Sequence, residues 1–426
     1  MSNPDITARL SQRWQWGSKQ AISFLMEQGV QNPGVISLAA GLVDQQSLPV
    51  SLVRNACEKI TGDLVSGRAA LQYGTTPGAE RLRQHLLSHL AGLEGATISQ
   101  LGVSTAEIVL TTGSQQLLSL VGEVLLDPGD IVFVAAPTYF VFLGTLNGLG
   151  ARMVSIPADS GGMDVDALER EFAKVEAAGE LSRVKLIYSV SYYENPSGIS
   201  LSLERRKALA EIARRWSKQQ RIFVLEDAAY RELHYDGPTL PSIWSFDPGH
   251  QHVILAQTFS KSLAPGLRVG YGVLPRELVS PVCDRKGNED FGSANLNQHL
   301  LATIFEQGGY SAHVIALQQT YRTKRDAMLA AADRYFQDLP GVSWVQPHGG
   351  LYVWMTLPSR IDTSFDSALF DRAVQEGVMY VPGGLCYAGP VETRPQNQMR
   401  LSFGTQDPAG IETGMQRLAR AVRALM

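Results

Sequence analysis

The sequence predicts an α/β protein, with a large domain on a mostly parallel seven-stranded sheet followed by a smaller α+β domain. Between about residues 105 and 275, short apolar, β-branched runs alternate with amphipathic helical stretches, which is the pattern of βαβ units. After about residue 285 that alternation stops, and two long helices give way to short strands among further helices. A chain of 426 residues is also long for one hydrophobic core. The expected division is an N-terminal arm with part of the small domain over 1–48, the large domain over 49–286 and the small C-terminal domain over 287–426.

Seven runs fit the strands of the large sheet: EIVLTTG (107–113), DIVFVAAP (130–137), ARMVSIP (151–157), VKLIYSV (184–190), RIFVLED (221–227), HVILAQT (252–258) and VGYGVLP (269–275). Turn chemistry follows them. After the first, Gly113 and Ser114 lead straight into an apolar-periodic helix. LSLERRKALAEIARRW, from Leu201, reads as an amphipathic helix with Ser202 as its cap. Such strand tips are where α/β proteins build their sites. Farther on, the segment from Asn297 to Asp338 reads as two long helices, and VSWVQP, GLYVWMTLP, VMYVPG and QMRLSFG read as short strands. There is no internal repeat and no low-complexity segment.

Composition narrows the function. A hydrophobic fraction of 44% with 18% charged residues is that of an ordinary soluble enzyme or binding protein. The net charge of −4 argues against nucleic acid or an anionic membrane as the main partner. Cys57, Cys283 and Cys386 are far apart and form no CxxC pair, so a reducing cytoplasm is expected, without disulfides or a zinc knuckle. The N-terminus lacks the apolar core of a secretory signal, and the longest apolar region, from Leu117, is broken by Glu123 and too short to span a bilayer. His85 and His89 lie four apart on one helix face, but no HExxH glutamate and no third ligand accompany them, so a solvated or satisfied pair is expected and no metal. Trp14 and Trp16, with Phe24, are open to two readings: lining a substrate pocket, or packing the N-terminal arm onto the body or a partner.

The stretch TFSKSLAPGLRVGY (258–271) carries the chemistry. Lys261 follows a long apolar strand and is bracketed by Thr258, Ser260 and Arg268, hydroxyls and a guanidinium suited to a phosphate. Most lysines are surface residues, yet an amine beside a phosphate anchor suits a covalent link to pyridoxal phosphate. Asp227 ends the strand IFVLED. Such a carboxylate serves as a magnesium ligand in nucleotide hydrolysis, although no G-x-x-x-x-G-K-[ST] loop occurs in the chain, or as a partner of the pyridine nitrogen.

The segments LQYGTTPGAERLR (71–83), TTGSQQ (111–116), APTYF (136–140), ENPSG (194–198), LEDAAY (225–230), TFSKSLAPGLRVGY, PHGGLYVW (347–354) and MRLSFG (399–404) resemble, in the same order, the class I/II aminotransferases of PLP-dependent fold type I. With LAAGLVDQQSLP (38–49), the chain is most similar to the branch holding 2-aminoadipate and kynurenine aminotransferases. The resemblance implies that Lys261 carries pyridoxal 5′-phosphate (PLP) covalently and then moves a proton between Cα of the substrate and C4′. It implies Asp227 on the pyridine nitrogen, Asn195 and Tyr230 on the phenolic oxygen, and Tyr139 stacked on the ring. Ser114, Gln115, Thr258, Ser260 and Arg268 would surround the phosphate, with Tyr73 reaching the phosphate of a neighbouring subunit, so a homodimer is implied. Arg400 would grip the substrate α-carboxylate, with Asn195 and Gly41 beside it; without the resemblance Arg400 reads as an arginine covering a small-domain strand.

Two positions depart from the family pattern. Glu194 stands before the Asn of ENPSG where many relatives have a neutral residue, and either brings a carboxylate near the cofactor or points to solvent. Lys19 and Gln20 stand where some relatives hold an arginine for a distal carboxylate, and Arg13 is near but unaligned. The expected function is ping-pong transfer of an amino group from an aromatic or bulky neutral L-amino acid, or a 2-aminoadipate-like one, to a 2-oxo acid. Alternatives are a PLP-dependent oxidase, cyclase or decarboxylase, which Glu194 favours, and a non-enzymatic effector-sensing domain, against which the short N-terminal segment speaks.

Overall fold

The computed structural model describes residues 10–17 and 34–426. In chain order its strands are β1 (Ile36–Ser37), β2 (Ile108–Thr111), β3 (Ile131–Ala136), β4 (Arg152–Asp159), β5 (Gly162–Met163), β6 (Val184–Val190), β7 (Phe223–Asp227), β8 (Val253–Thr258), β9 (Gly270–Val273), β10 (Ser343–Trp344), β11 (Tyr352–Thr356), β12 (Val378–Met379), β13 (Val381–Pro382) and β14 (Gln398–Ser402). The central sheet has the order β2-β9-β8-β7-β6-β3-β4-β5. The pairings β4–β3–β6–β7–β8 are all parallel, whereas β9 is antiparallel to β8 and β2. All seven expected strands form. An eighth, β5, folds back on the end of β4 as a two-residue hairpin arm, too short to leave any periodicity in the sequence.

The inner parallel strands are largely apolar because helices cover both sheet faces. β3, β6, β7 and β8 are buried almost throughout, and β4, near the edge, alternates in exposure. Aromatic pairs lock the covering layer: Phe142 lies 4.4 Å from Tyr188 and Phe133 4.6 Å from Phe172, centroid to centroid, and Phe172 stacks on Trp216 at 5.0 Å. Helix Leu203–Trp216 starts as its sequence requires, with Ser202 Oγ accepting from Arg205 N at 3.4 Å.

A second, antiparallel sheet has the order β10-β11-β14-β13. The chain near its start joins it: β1 pairs in parallel with β12, and the amide of Ser402 donates to Leu38 O at 2.7 Å. Helices Gly309–Phe336 and Pro408–Arg423 pack together alongside.

Helix Gln12–Gly17 lies on helix Phe140–Gly148, close enough that a Cβ on Gly17 would sit 3.5 Å from the Cα of Gly148. Of the two readings of the tryptophans, Trp14 and Trp16 thus belong to a segment packed on the body; Phe24, Lys19 and Gln20 lie outside the described residues. His85 and His89 face different glutamates, Glu306 at 3.3 Å and Glu232 at 3.1 Å. Among the described residues no helix is long and apolar enough to cross a membrane, and no cluster of three metal-ligating side chains occurs.

Candidate active site

Strand alternation separates two adjacent carboxylates at the tip of β7. Glu226 is fully buried, accepting from Ser191 Oγ at 2.6 Å and from the amides of Ile243 and Trp244 at 3.0 and 2.9 Å, so it is a structural brace. Asp227 faces a cavity instead, holding the Tyr188 hydroxyl at 3.1 Å and the Ala229 amide at 3.1 Å. Burial raises its pKa to about 6 against the pull of those two donors, a carboxylate short of positive charge.

The next tip, β8, starts an anion cradle. Ser260 N donates to Thr258 Oγ1 at 3.2 Å, the two hydroxyls meet at 3.0 Å, and Arg268 Nη1 reaches Ser260 Oγ at 3.3 Å. Arg268 is held in the left-handed region, φ 51°, a strained state for a side-chain-bearing residue that directs its guanidinium to Thr112 O, 3.2 Å away. Across from it, helix Ser114–Leu125 presents its N-terminus, with its dipole and free amides. Two glycines let these pieces close. A Cβ on Gly113 (φ 75°) would come within 2.7 Å of Arg268 Nη2, and one on Gly270 within 2.6 Å of Ser114 N. Gln115 spends its amide nitrogen on Thr145 Oγ1 at 3.2 Å, while its buried Oε1 has no partner.

Lys261 lies between the cradle and the second sheet. Its Nζ donates to Gly41 O at 2.8 Å, and desolvation, with Arg400 and Arg268 nearby, holds its pKa below that of an ordinary lysine. Arg400, on β14 and 3% exposed, donates from Nη1 to Asn195 Oδ1 at 2.8 Å and from Nη2 to Ala39 O at 2.7 Å, leaving Nε buried without a partner. Its guanidinium stacks 4.4 Å from the centroid of Tyr352. Burial and the charge of Asp227 push the Tyr139 phenol well up, so its ring is neutral.

One cavity of about 210 Å³ is lined by Gly41, Ser114, Gln115, Tyr139, Asn195, Asp227, Tyr230, Thr258, Ser260, Lys261 and Arg268. Arg400 adjoins it through Asn195. Tyr73 does not reach it: the side chain is 86% exposed, beside Phe291 at 6.4 Å between ring centroids. A larger cleft of about 770 Å³ borders the same Asn195 turn at Ser197 and Gly198, but neither Lys261 nor Asp227 is in its wall.

The family model for aminotransferases of class I and II matches residues 33–418. The chain belongs to that family. It is 36% identical over 400 residues to aromatic-amino-acid aminotransferase 1 of Thermococcus litoralis, covering 93% of this chain and 90% of the relative. With the 2-aminoadipate transaminase of Thermus thermophilus it shares 35% identity over 399 residues, 93% of this chain and 92% of the relative. A solved structure, the kynurenine aminotransferase of Pyrococcus horikoshii in complex with PMP, superposes with a TM-score of 0.88 at 34% identity, covering 98% of this chain and 97% of that one. The protein is therefore a PLP-dependent aminotransferase of fold type I.

This aminotransferase has a cavity suited to its cofactor. Its wall combines a guanidinium, hydroxyls and a helix N-terminus, which suit a phosphate, with a buried carboxylate of raised pKa, which suits a pyridine nitrogen, and an amine. The glycines that open the cradle would otherwise fill it.

One residue near the site had no role in the sequence reading, and a second was left between two. Tyr352 is part of PHGGLYVW, but its hydroxyl meets Tyr230 only through the fold, 3.1 Å away. Glu194 is buried, accepting from Ser197 Oγ at 3.1 Å, and does not point to solvent. Burial, only partly offset by the Thr138 and Ser197 hydroxyls and reinforced by the charge of Asp227, raises its pKa to about 8, so it is a neutral acid at pH 7. Because the folded state then holds a proton that the unfolded chain releases above about pH 4.5, stability falls as pH rises from about 5 to about 8. Glu194→Gln removes that slope. Thermal unfolding of the variant should match wild type near pH 5 and exceed it near pH 8 by on the order of a few kcal/mol. Parallel profiles would contradict the assignment.

Proposed function

We propose that this aminotransferase takes an amino group from an aromatic or bulky neutral L-amino acid, with 2-aminoadipate-like donors also in range, and passes it to a 2-oxo acid by a ping-pong cycle. The observation that carries the reading is the convergence of Lys261, Asp227 and the Arg268 cradle on one cavity next to Arg400. For the donor, support comes from the names of the relatives above and from the cavity wall, where Leu42, Val43 and Pro265 are apolar and the lining cations are Lys261 and Arg268 among the described residues.

Bound PLP supplies a conjugated ring that draws electrons from the substrate α-carbon. Asp227, desolvated and lacking a cation of its own, holds a proton on the pyridine nitrogen. Tyr139 would cover the ring face, and Tyr230 and Asn195 would hold the phenolic oxygen. Thr258, Ser260, Arg268, Ser114 and Gln115 bind the phosphate. Arg400 and Asn195 would hold the α-carboxylate near Gly41, whose carbonyl the amine of Lys261 already meets. That amine, with its pKa lowered by burial, takes the Cα proton and returns one at C4′. A donor screen against several 2-oxo acids tests the reading. Incubation with an amino acid alone should stall after a half-reaction; continued turnover without a 2-oxo acid would overturn it.

The functional unit is proposed to be a homodimer in which Tyr73 reaches the phosphate held by the neighbouring subunit. Supporting this, Tyr73 is exposed together with the large apolar side chains Leu71 (72%) and Phe291 (77%), surface that a partner subunit would cover. Sedimentation should report a dimer. Tyr73→Phe should leave it intact and weaken cofactor retention about 10-fold, the worth of a hydrogen bond to a charged group. A monomer, or unchanged retention, would contradict this. The free cysteines Cys57, Cys283 and Cys386 suit a reducing cytoplasm.

A further inference from the structure

Tyr230 and Tyr352 form a buried hydroxyl pair, Oη to Oη 3.1 Å with the rings edge to face at 5.7 Å. A phenol has one hydrogen to donate and lone pairs to accept with. If Tyr230 spends its hydrogen on Tyr352, none is left for the cavity that Tyr230 lines. If Tyr352 donates, the Tyr230 hydrogen is free to point there.

The surroundings decide between the two. The Arg400 guanidinium sits 4.4 Å from the Tyr352 ring centroid, and the charged or titratable groups facing this tyrosine are Arg400, Lys261, Tyr230, Tyr139, Tyr321 and Cys386. Burial raises the Tyr352 phenol, but Arg400 and then Lys261 outweigh it and leave it more acidic than usual. Tyr230 is pushed the opposite way, by burial first and by Tyr352 second. The more acidic hydroxyl donates and the less acidic one accepts.

We propose that Tyr352 is a positioning residue for the transamination: its hydroxyl donates to Tyr230 Oη, so that the Tyr230 hydrogen is delivered to the phenolic oxygen of the cofactor. The proposal rests on the assignment of Tyr230 as partner of that oxygen. A hydroxyl that accepts a hydrogen bond is polarised into a stronger donor. Tyr230 would therefore draw charge off the phenolic oxygen more strongly, so that a proton hydrogen-bonded to that oxygen would be lost at lower pH. Tyr352 is thus expected to tune the cofactor without touching it, and to act only through Tyr230.

The test is the pH titration of the visible absorption of the holoenzyme without substrate, in wild type, Tyr352→Phe, Tyr230→Phe and the double variant. Each exchange deletes a single hydroxyl and keeps the ring, and retention of the visible band with an unchanged Tm verifies folding. Tyr352→Phe should move the midpoint up by about half a pH unit, and Tyr230→Phe by about one unit or more. The double variant should match Tyr230→Phe alone. If Tyr230→Phe moves the midpoint and Tyr352→Phe does not, or if the two shifts add, the role of Tyr352 is overturned while that of Tyr230 stands. No shift in Tyr230→Phe overturns both. Should the double variant fail to fold, the single Tyr352→Phe shift decides the proposal.

Discussion

Lys261→Ala is expected to abolish both the visible absorption of the bound cofactor and turnover. The amine lines the cavity, 2.8 Å from Gly41 O, and burial disfavours its charge and holds its pKa below that of an ordinary lysine, which favours its use as a nucleophile. Among the described residues no other lysine lines that cavity. Loss of its general acid–base role alone predicts a drop in kcat of roughly 10²–10⁴-fold, and loss of the covalent anchor adds to it. Absorbance of the purified variant and single-turnover kinetics with a good donor check the result. Reduction with borohydride followed by peptide mapping locates the attachment in the wild type. Full activity in Lys261→Ala, or an adduct on another residue, would refute the role.

Arg400→Ala should cost about 2–4 kcal/mol in kcat/KM, roughly 30- to 1,000-fold, because a charge-assisted fork to a carboxylate is lost in a buried place. The fork is preorganised: Asn195 and Ala39 each hold one terminal nitrogen, and the Tyr352 ring supports its face, leaving the remaining donors for substrate. Arg400→Lys keeps a charge but not the planar geometry, and it should recover only a small part of the loss. Steady-state kinetics with one donor at several concentrations, together with a Tm measurement to exclude unfolding, checks this. An unchanged kcat/KM would exclude Arg400 from carboxylate binding and return it to a role in covering the small sheet.

The positions and ends of the central strands were legible in the chain itself, while their order in the sheet was not. Runs such as VKLIYSV and RIFVLED are mostly apolar without alternation because a parallel sheet is covered on both faces, and their short length sets them apart from helices. Their ends were legible too, because a polar residue terminating such a run must lie at the sheet edge: Asp227, Thr258 and the Gly113–Ser114 turn were found that way. β5 was not legible, since two residues carry no period. The environment of Glu194 was equally hidden. One carboxylate in a turn looks the same whether solvent or Ser197 and Thr138 surround it, and only packing raises its pKa to about 8.

What the sequence determined by itself was local: which segments are strands, which glycines, hydroxyls and charged groups cluster within a few residues of Lys261, and which reactive class those groups suit. What only the tertiary structure decided was which distant groups meet. Tyr352 and Tyr230 are 122 positions apart, and Arg400 and Asn195 are 205 apart. Their contact depends on β14 pairing with β11 and on both sheets closing over one cavity. Hydrogen bonds and charge interactions act over a few ångströms of space, whereas sequence patterns report separation along the chain, so the couplings that tune this site could come only from the fold.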